Sequence, residues 1–278
     1  IFGFFKGKEI VSMKNKYKGF LFYFILLFIY VGYIFTHLFA KNFILIISYL
    51  FRFILPLFIC DILFIGNKED DSIKVLHNKK AIYPFIIIYG LWLTYLILNV
   101  RFDLINESSN PLSILTLYAS FVFSLLISFI WKFSFKSFNY KISFSLFFKT
   151  IIIYLAYFLP AYSVSGYLRL NGIFNGNYAS YIVDSCRTII YPAFTEEFLY
   201  RGLLITGLLG LGLDKTKVNI IQSIIFGLLH FGQYQGMGAF LIIGTFGQML
   251  LGYLLGEVYF KTKSLTPCIL LHTLLDVI

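Results

Sequence analysis

Charge is what this sequence has least of. Only 13% of its 278 residues are Asp, Glu, Lys or Arg, against roughly a quarter in soluble domains, and its mean hydropathy is +0.83. That balance excludes an ordinary soluble domain and points to a polytopic membrane protein forming one bundle. Cysteine is nearly absent too. Cys60, Cys186 and Cys268 fall in apolar runs and show neither metal-ligand spacing nor a disulfide framework. There is no His-Glu-x-x-His and no His-x-x-x-His, so the short ligand pairs of zinc hydrolases are missing. No repeat of fixed period is visible. The first apolar run lacks a following cleavage site of small residues, so the Lys-rich start reads as the flank of an uncleaved span.

What the chain does have is apolar length. A spanning helix needs about 20 apolar residues. Runs of that order lie near 19–39, 43–65, 81–99, 112–131, 145–167, 180–206, 218–235 and 238–260, with a shorter one at 266–278. Only helices and closed barrels satisfy the backbone in lipid, and runs this long exclude barrel strands. The expected fold is therefore all-α, a polytopic transmembrane bundle of about eight to nine spans. It divides into a segment 1–18, accessory helices over 19–167 and a core over 168–278. Met13, followed by "KNKYK", reads as a natural start, and the apolar end at Ile278 reads as a run either cut short or ending in the membrane. The 34 Phe and 21 Tyr, with many Ile, Lys and Asn, point to an AT-rich genome.

The net charge of +10 sits mostly in loops. Lys6, Lys8, Lys14, Lys16 and Lys18 precede the first run, and the next loop holds only Lys41. Lys68, Lys74, Lys79 and Lys80 follow, then Arg101 alone, then Lys132, Lys136 and Lys141, then Arg169 alone. The alternation continues with Lys215 and Lys217, none near 236, and Lys261 and Lys263. The positive-inside rule places the N-terminus in the cytoplasm. Basicity thus serves orientation rather than nucleic-acid binding, and the partners expected are membrane lipid and a membrane-borne substrate.

Ionisable residues within spans are costly and mark function or buried pairs. Here they gather late: Asp184, Arg187, Glu196, Glu197 and Arg201 in the sixth run, His230 in the seventh, His272 and Asp276 in the last. Arg52, Asp61 and Lys149 stand apart from them. Glu197 and Arg201 are i,i+4 and share a face, whereas Glu196 is turned by about 100° and points elsewhere. Phe226 and His230, and His272 and Asp276, are also i,i+4, so a carboxyl can orient an imidazole. At about 1.5 Å rise per residue, Glu196, His230 and His272 fall at similar depths. Small residues at Gly232 and Gly236, and at Gly252 and Gly256, suit close helix packing. Asp184 with Arg187 reads as a structural pair, and Arg52 as a snorkelling cation or the partner of a carboxylate.

The ordered set "EEFLYR", "FGLLH" and "SLTPCILLHTLLD" resembles the CPBP (CAAX protease and bacteriocin-processing, or Abi) family of intramembrane endopeptidases over residues 180–278. That family carries Glu-Glu-x-x-x-Arg, Phe-x-x-x-His and His-x-x-x-Asn or Asp. The resemblance implies that Glu196 and His230 polarise an attacking water, and that Glu197 and Arg201 form a supporting pair, with Phe226 before the His. It places His272 and Asp276 at the oxyanion. Asp276 would donate there only when protonated, or would accept from His272 and leave that ring as donor. The substrate implied is a prenylated or bacteriocin-type peptide, and no cofactor is expected. Zinc on the Glu and two His stays as an alternative. So do a non-proteolytic immunity or scaffold protein of the same fold, and a proton-coupled transporter.

Overall fold

The computed structural model describes residues 41–65, 75–102, 111–161, 178–234 and 240–277. The first basic segment and the run at 19–39 lie outside them, as do Lys68, Lys74, Arg169 and Gly236. The chain divides into two compact units, Ile1–Phe51 and Arg52–Ile278. Among the described residues all regular structure is helical. In chain order it comprises α1 (Lys41–Leu63), α2 (Ile82–Phe102), α3 (Pro111–Ile130), α4 (Phe144–Ala161), α5 (Tyr178–Thr188), α6 (Ile205–Gly210), α7 (Lys215–Leu229), α8 (Phe240–Thr262) and α9 (Leu265–Val277). These bounds follow the apolar runs closely. One of the described helices, over Leu241–Thr262, is long and apolar enough to cross a membrane; Ala119–Ile130, Phe144–Phe158 and Leu265–Val277 are shorter apolar helices. Large apolar side chains stand on the outside, among them Phe123, Phe129, Ile130, Ile242 and Phe246. Apolar surface of that extent is expected against lipid rather than water.

The sixth run departs from the single helix expected over 180–206. Between α5 and α6 the chain passes through two π-helical stretches, Ile189–Phe194 and Phe198–Leu204, on either side of one α-turn, Thr195–Glu197. Tyr191 is extended, at φ −143° and ψ 127°. The cause is Pro192, which disfavours helical backbone in the residue before it and offers no N–H. The Thr195 hydroxyl donates to the Ile190 carbonyl at 2.9 Å, taking up an acceptor near the break. Wide turns of this kind recur at functional sites, and here they bracket the two glutamates.

The helices around that turn approach closely because small residues let them. A Cβ on Gly256 would run into the Asn219 side chain, one on Gly252 would press on Phe226 and Ser223, and one on Gly227 would strike Met249. These pairs set an antiparallel register for α7 against α8. Gly232 serves no such purpose, since a Cβ there meets nothing within 4 Å. Gly210 does: its Cβ would collide with the backbone of Asn78 and Lys79, where the 3₁₀ turn before α2 crosses α6. The Asn78 N–H donates to the Thr206 carbonyl at the same crossing (3.1 Å).

The α8–α9 turn is tied from a distance. Leu265 N–H donates to the Asn139 carbonyl (2.9 Å), the Asn139 amide donates to the Lys263 carbonyl (2.9 Å), and the Thr266 hydroxyl donates to the Tyr140 carbonyl (2.6 Å). Asn139 and Tyr140, in the α3–α4 connection, therefore fix the start of α9. At the head of α7, Asp214 caps the helix by accepting from Lys217 N–H at 3.0 Å. That bond, with help from the Lys217 ammonium, holds the Asp214 carboxyl below its ordinary range.

The outlying charges are paired as well. Asp61 meets Lys261 at 2.9 Å, so α1 is joined to the end of α8. Arg52 donates to the Tyr157 hydroxyl and lies over the Tyr157 and Phe53 rings. The Lys149 ammonium lies over the Phe64 ring. Arg187 is exposed, while the Asp184 side chain lies outside the described residues. Cys60, Cys186 and Cys268 are free thiols.

Candidate active site

The break at Pro192 places Thr195–Glu197 in the interior. Glu196 is 5% exposed, and Glu197 and Arg201 are fully buried. Arg201 Nη1 donates to Glu197 Oε1 at 2.9 Å, and its Nη2 donates to the Gly252 carbonyl at 2.8 Å. The guanidinium lies over Phe226, 4.8 Å from the ring centre. The i,i+4 pair is therefore formed, and it is anchored to α8 by a backbone contact that side-chain spacing does not reveal. Gln222 shares the anchor: its amide donates to the same Gly252 carbonyl (2.8 Å) and to Asn219 Oδ1 (2.7 Å). Asn219 in turn donates to Glu257 (3.0 Å).

Glu197 does more than neutralise Arg201. His272, brought in by α9, donates from Nδ1 to Glu197 Oε1 at 2.7 Å. A carboxylate oxygen that accepts from both a guanidinium and an imidazole fixes the ring and its tautomer. The other nitrogen, Nε2, then faces Glu196 Oε2 at 3.8 Å and Asp276 Oδ2 at 3.4 Å. His230 is fixed by different means. Its Nδ1 lies 2.9 Å from the Phe226 carbonyl, and a carbonyl only accepts, so Nδ1 carries the proton. In the neutral ring Nε2 is then an acceptor, and it faces Glu196 Oε2 at 3.9 Å.

The two glutamates thus have opposite surroundings. Glu197 is held by two close bonds through Oε1. Glu196 Oε2 is buried and hydrogen-bonded to nothing among the described residues, although two imidazole nitrogens face it from just beyond bonding distance. Phe226 is the shared floor, its ring centre 4.7 Å from that of His230 and 5.9 Å from that of His272.

All seven residues singled out by spacing and resemblance meet here: Glu196, Glu197, Arg201, Phe226, His230, His272 and Asp276. Asp276 stands apart in one respect. Its side chain is 34% exposed, so it occupies the rim and not the interior. Sequence reasoning missed Gln222, Asn219 and the Gly252 carbonyl. A polar pair at i,i+3 in an apolar run was the available signal for the first two; nothing in a sequence marks a carbonyl. Among the described residues no group of three or more His, Cys, Asp or Glu is arranged to hold a metal ion.

Residues 178–278 match a family model described as type II CAAX prenyl endopeptidase Rce1-like. No curated protein and no solved structure matches the chain. The matched segment begins at α5 and holds every one of the seven residues, while the Asn139 and Tyr140 ties come from outside it. Residues 178–278, with their paired glutamates and their two histidines, are thus the part of the chain that is similar to the CAAX prenyl endopeptidase family.

Proposed function

We propose that the protein is an intramembrane endopeptidase that hydrolyses a peptide bond with a water activated by Glu196 and His230. The observation that carries this is the buried, unbonded Glu196 Oε2 facing His230 Nε2 at 3.9 Å. Two hydrogen bonds of about 2.8 Å meeting at roughly 90° span about 4 Å, so one water can donate to both acceptors at once. Water oxygen attacks the carbonyl carbon while Glu196 takes the proton. The carbonyl electron pair moves to oxygen, and His272, held by Glu197, stabilises it when Nε2–H is present. Collapse breaks the C–N bond, and the proton held by Glu196 passes to the leaving amine. Asp276 acts as an acceptor for His272; its exposed position supports that role over a buried, protonated donor.

No step in this scheme uses a metal or cofactor. Cleavage that survives EDTA and phenanthroline supports it; loss that is restored by added zinc overturns that part. The substrate class is a membrane-associated peptide of prenylated or bacteriocin type. The setting is an integral membrane protein of eight to nine spans in a bacterial plasma membrane, N-terminus cytoplasmic, with 168–278 as the catalytic core. The test uses purified protein with a farnesylated CAAX peptide and a double-Gly leader peptide, read by mass spectrometry. Wild type should cleave at least one of them, and Glu196→Ala and His230→Ala should each abolish the cleavage. If both variants cleave like wild type, the water-activating pair is wrong. If wild type cleaves neither, the reading gives way to a non-proteolytic immunity or scaffold role.

A further inference from the structure

The sequence "EEFLYR" contains a second i,i+4 pair that the family motif does not name. Tyr200 stands to Glu196 as Arg201 stands to Glu197, and the latter spacing is shown to bring side chains together within this same wide helix. The Tyr200 side chain is fully buried. Its ring packs edge-on to Phe226, 5.0 Å between centres, and so borders the floor beneath both histidines. Its hydroxyl has no hydrogen-bond partner among the described residues.

A buried hydroxyl with nothing to bond costs stability, and a Phe would fill the same space without that cost. The ring sits among Phe85, Tyr89 and Phe226, all aromatic neighbours that a Phe would satisfy equally well. Packing therefore accounts for the ring and not for the oxygen. The reaction, meanwhile, is short of a donor. The residue one turn beyond His272 is a carboxylate at the rim, Asp276, which accepts where an amide would donate.

We propose that Tyr200 is a further catalytic residue, its phenol O–H donating a hydrogen bond to the carbonyl oxygen of the scissile peptide as that oxygen gains negative charge. The proton stays on Tyr200 throughout; it polarises the C=O bond, while Glu196 alone carries the proton from water to amine. This rests on the endopeptidase reading above. It adds one buried donor to the single imidazole that faces the reacting carbonyl.

Tyr200→Phe removes one oxygen and keeps the ring. In purified protein, on whichever of the farnesylated CAAX peptide and the leader peptide wild type cleaves, kcat should fall about 100- to 1000-fold with KM little changed. The thermal midpoint should stay equal or rise, because an unpaired buried hydroxyl is gone. A merely structural hydroxyl gives the opposite pattern: a lowered midpoint with kcat retained. Tyr200→Phe with wild-type kcat overturns the proposal while Glu196→Ala, run beside it, remains dead and the endopeptidase reading stands. If Glu196→Ala also cleaves normally, or wild type cleaves neither peptide, the endopeptidase reading fails and this proposal fails with it.

Discussion

Two carboxylates on adjacent residues point in different directions from a single helical turn, and their surroundings are built differently. On the Glu197 side contacts are short and closed: Arg201 at 2.9 Å, His272 at 2.7 Å, and Gly252 beyond them at 2.8 Å from Arg201. On the Glu196 side they stop at 3.8 and 3.9 Å, and Glu196 Oε2 bonds to nothing among the described residues; on the Glu197 side Oε1 takes both bonds, while Oε2 and Arg201 Nε are unbonded there. Closed contacts hold a charge in a place where lipid or protein would otherwise penalise it. Open ones leave room for a reacting group. The glutamate that is bonded positions the side that is not, through His272, which bonds to Glu197 and faces Glu196.

That comparison can be broken on its closed side. Glu197→Ala leaves a fully buried guanidinium without its carboxylate, and stability should fall by about 3–5 kcal/mol; thermal unfolding in detergent reads it. Little loss would mean that the Gly252 carbonyl and the Phe226 face suffice for Arg201. Next comes the frame that delivers the histidines. Gly256→Ala forces Asn219 out of place and should cost about 1–3 kcal/mol, with α7 and α8 driven apart. Gly232→Ala, where space is open, should cost much less in the same assay. The tie on α9 is smaller still. Asn139→Ala removes the bond to the Lys263 carbonyl and should cost about 0.5–1.5 kcal/mol. It should also slow turnover, since His272 rides on the helix that this turn starts.

The smallest effect lies outside the membrane. The Asp214 carboxyl is held below its ordinary range in the fold, so its capping contribution is present at neutral pH. It is lost as pH falls through the folded value. Asp214→Ala should lower the thermal midpoint slightly at pH 7 and erase that part of the acid dependence. An unchanged acid limb in the variant would show that the cap does not titrate.

The sequence carried the framework because the framework is periodic. Apolar runs located α1 to α4 and α7 to α9 to within a few residues, whereas the one run at 180–206 covers most of α5, both wide turns and only the start of α6. The spacing of Glu197 and Arg201 told of their pairing because i,i+4 contacts are made within one helix. What spacing missed runs between helices. Glu197 bonding to His272, Gln222 and Arg201 sharing the Gly252 carbonyl, and Asn139 securing α9 each join residues distant in the chain. The break at Tyr191 had a visible cause in Pro192, yet its effect, two wide turns around the glutamates, depends on how the neighbouring helices pack. Gly252 and Gly256 pack closely and Gly232 does not, a distinction that a small-residue pattern alone cannot make.

The most direct test sets Glu196→Gln beside Glu197→Gln, measuring turnover and thermal midpoint on each purified protein. Glu196→Gln should keep the wild-type midpoint and lose turnover by at least about 100-fold. Glu197→Gln should lower the midpoint, because its amide no longer balances Arg201, with turnover reduced as His272 loses its anchor. Contradiction would come from Glu196→Gln turning over at the wild-type rate, or from the two variants losing stability and activity in equal measure.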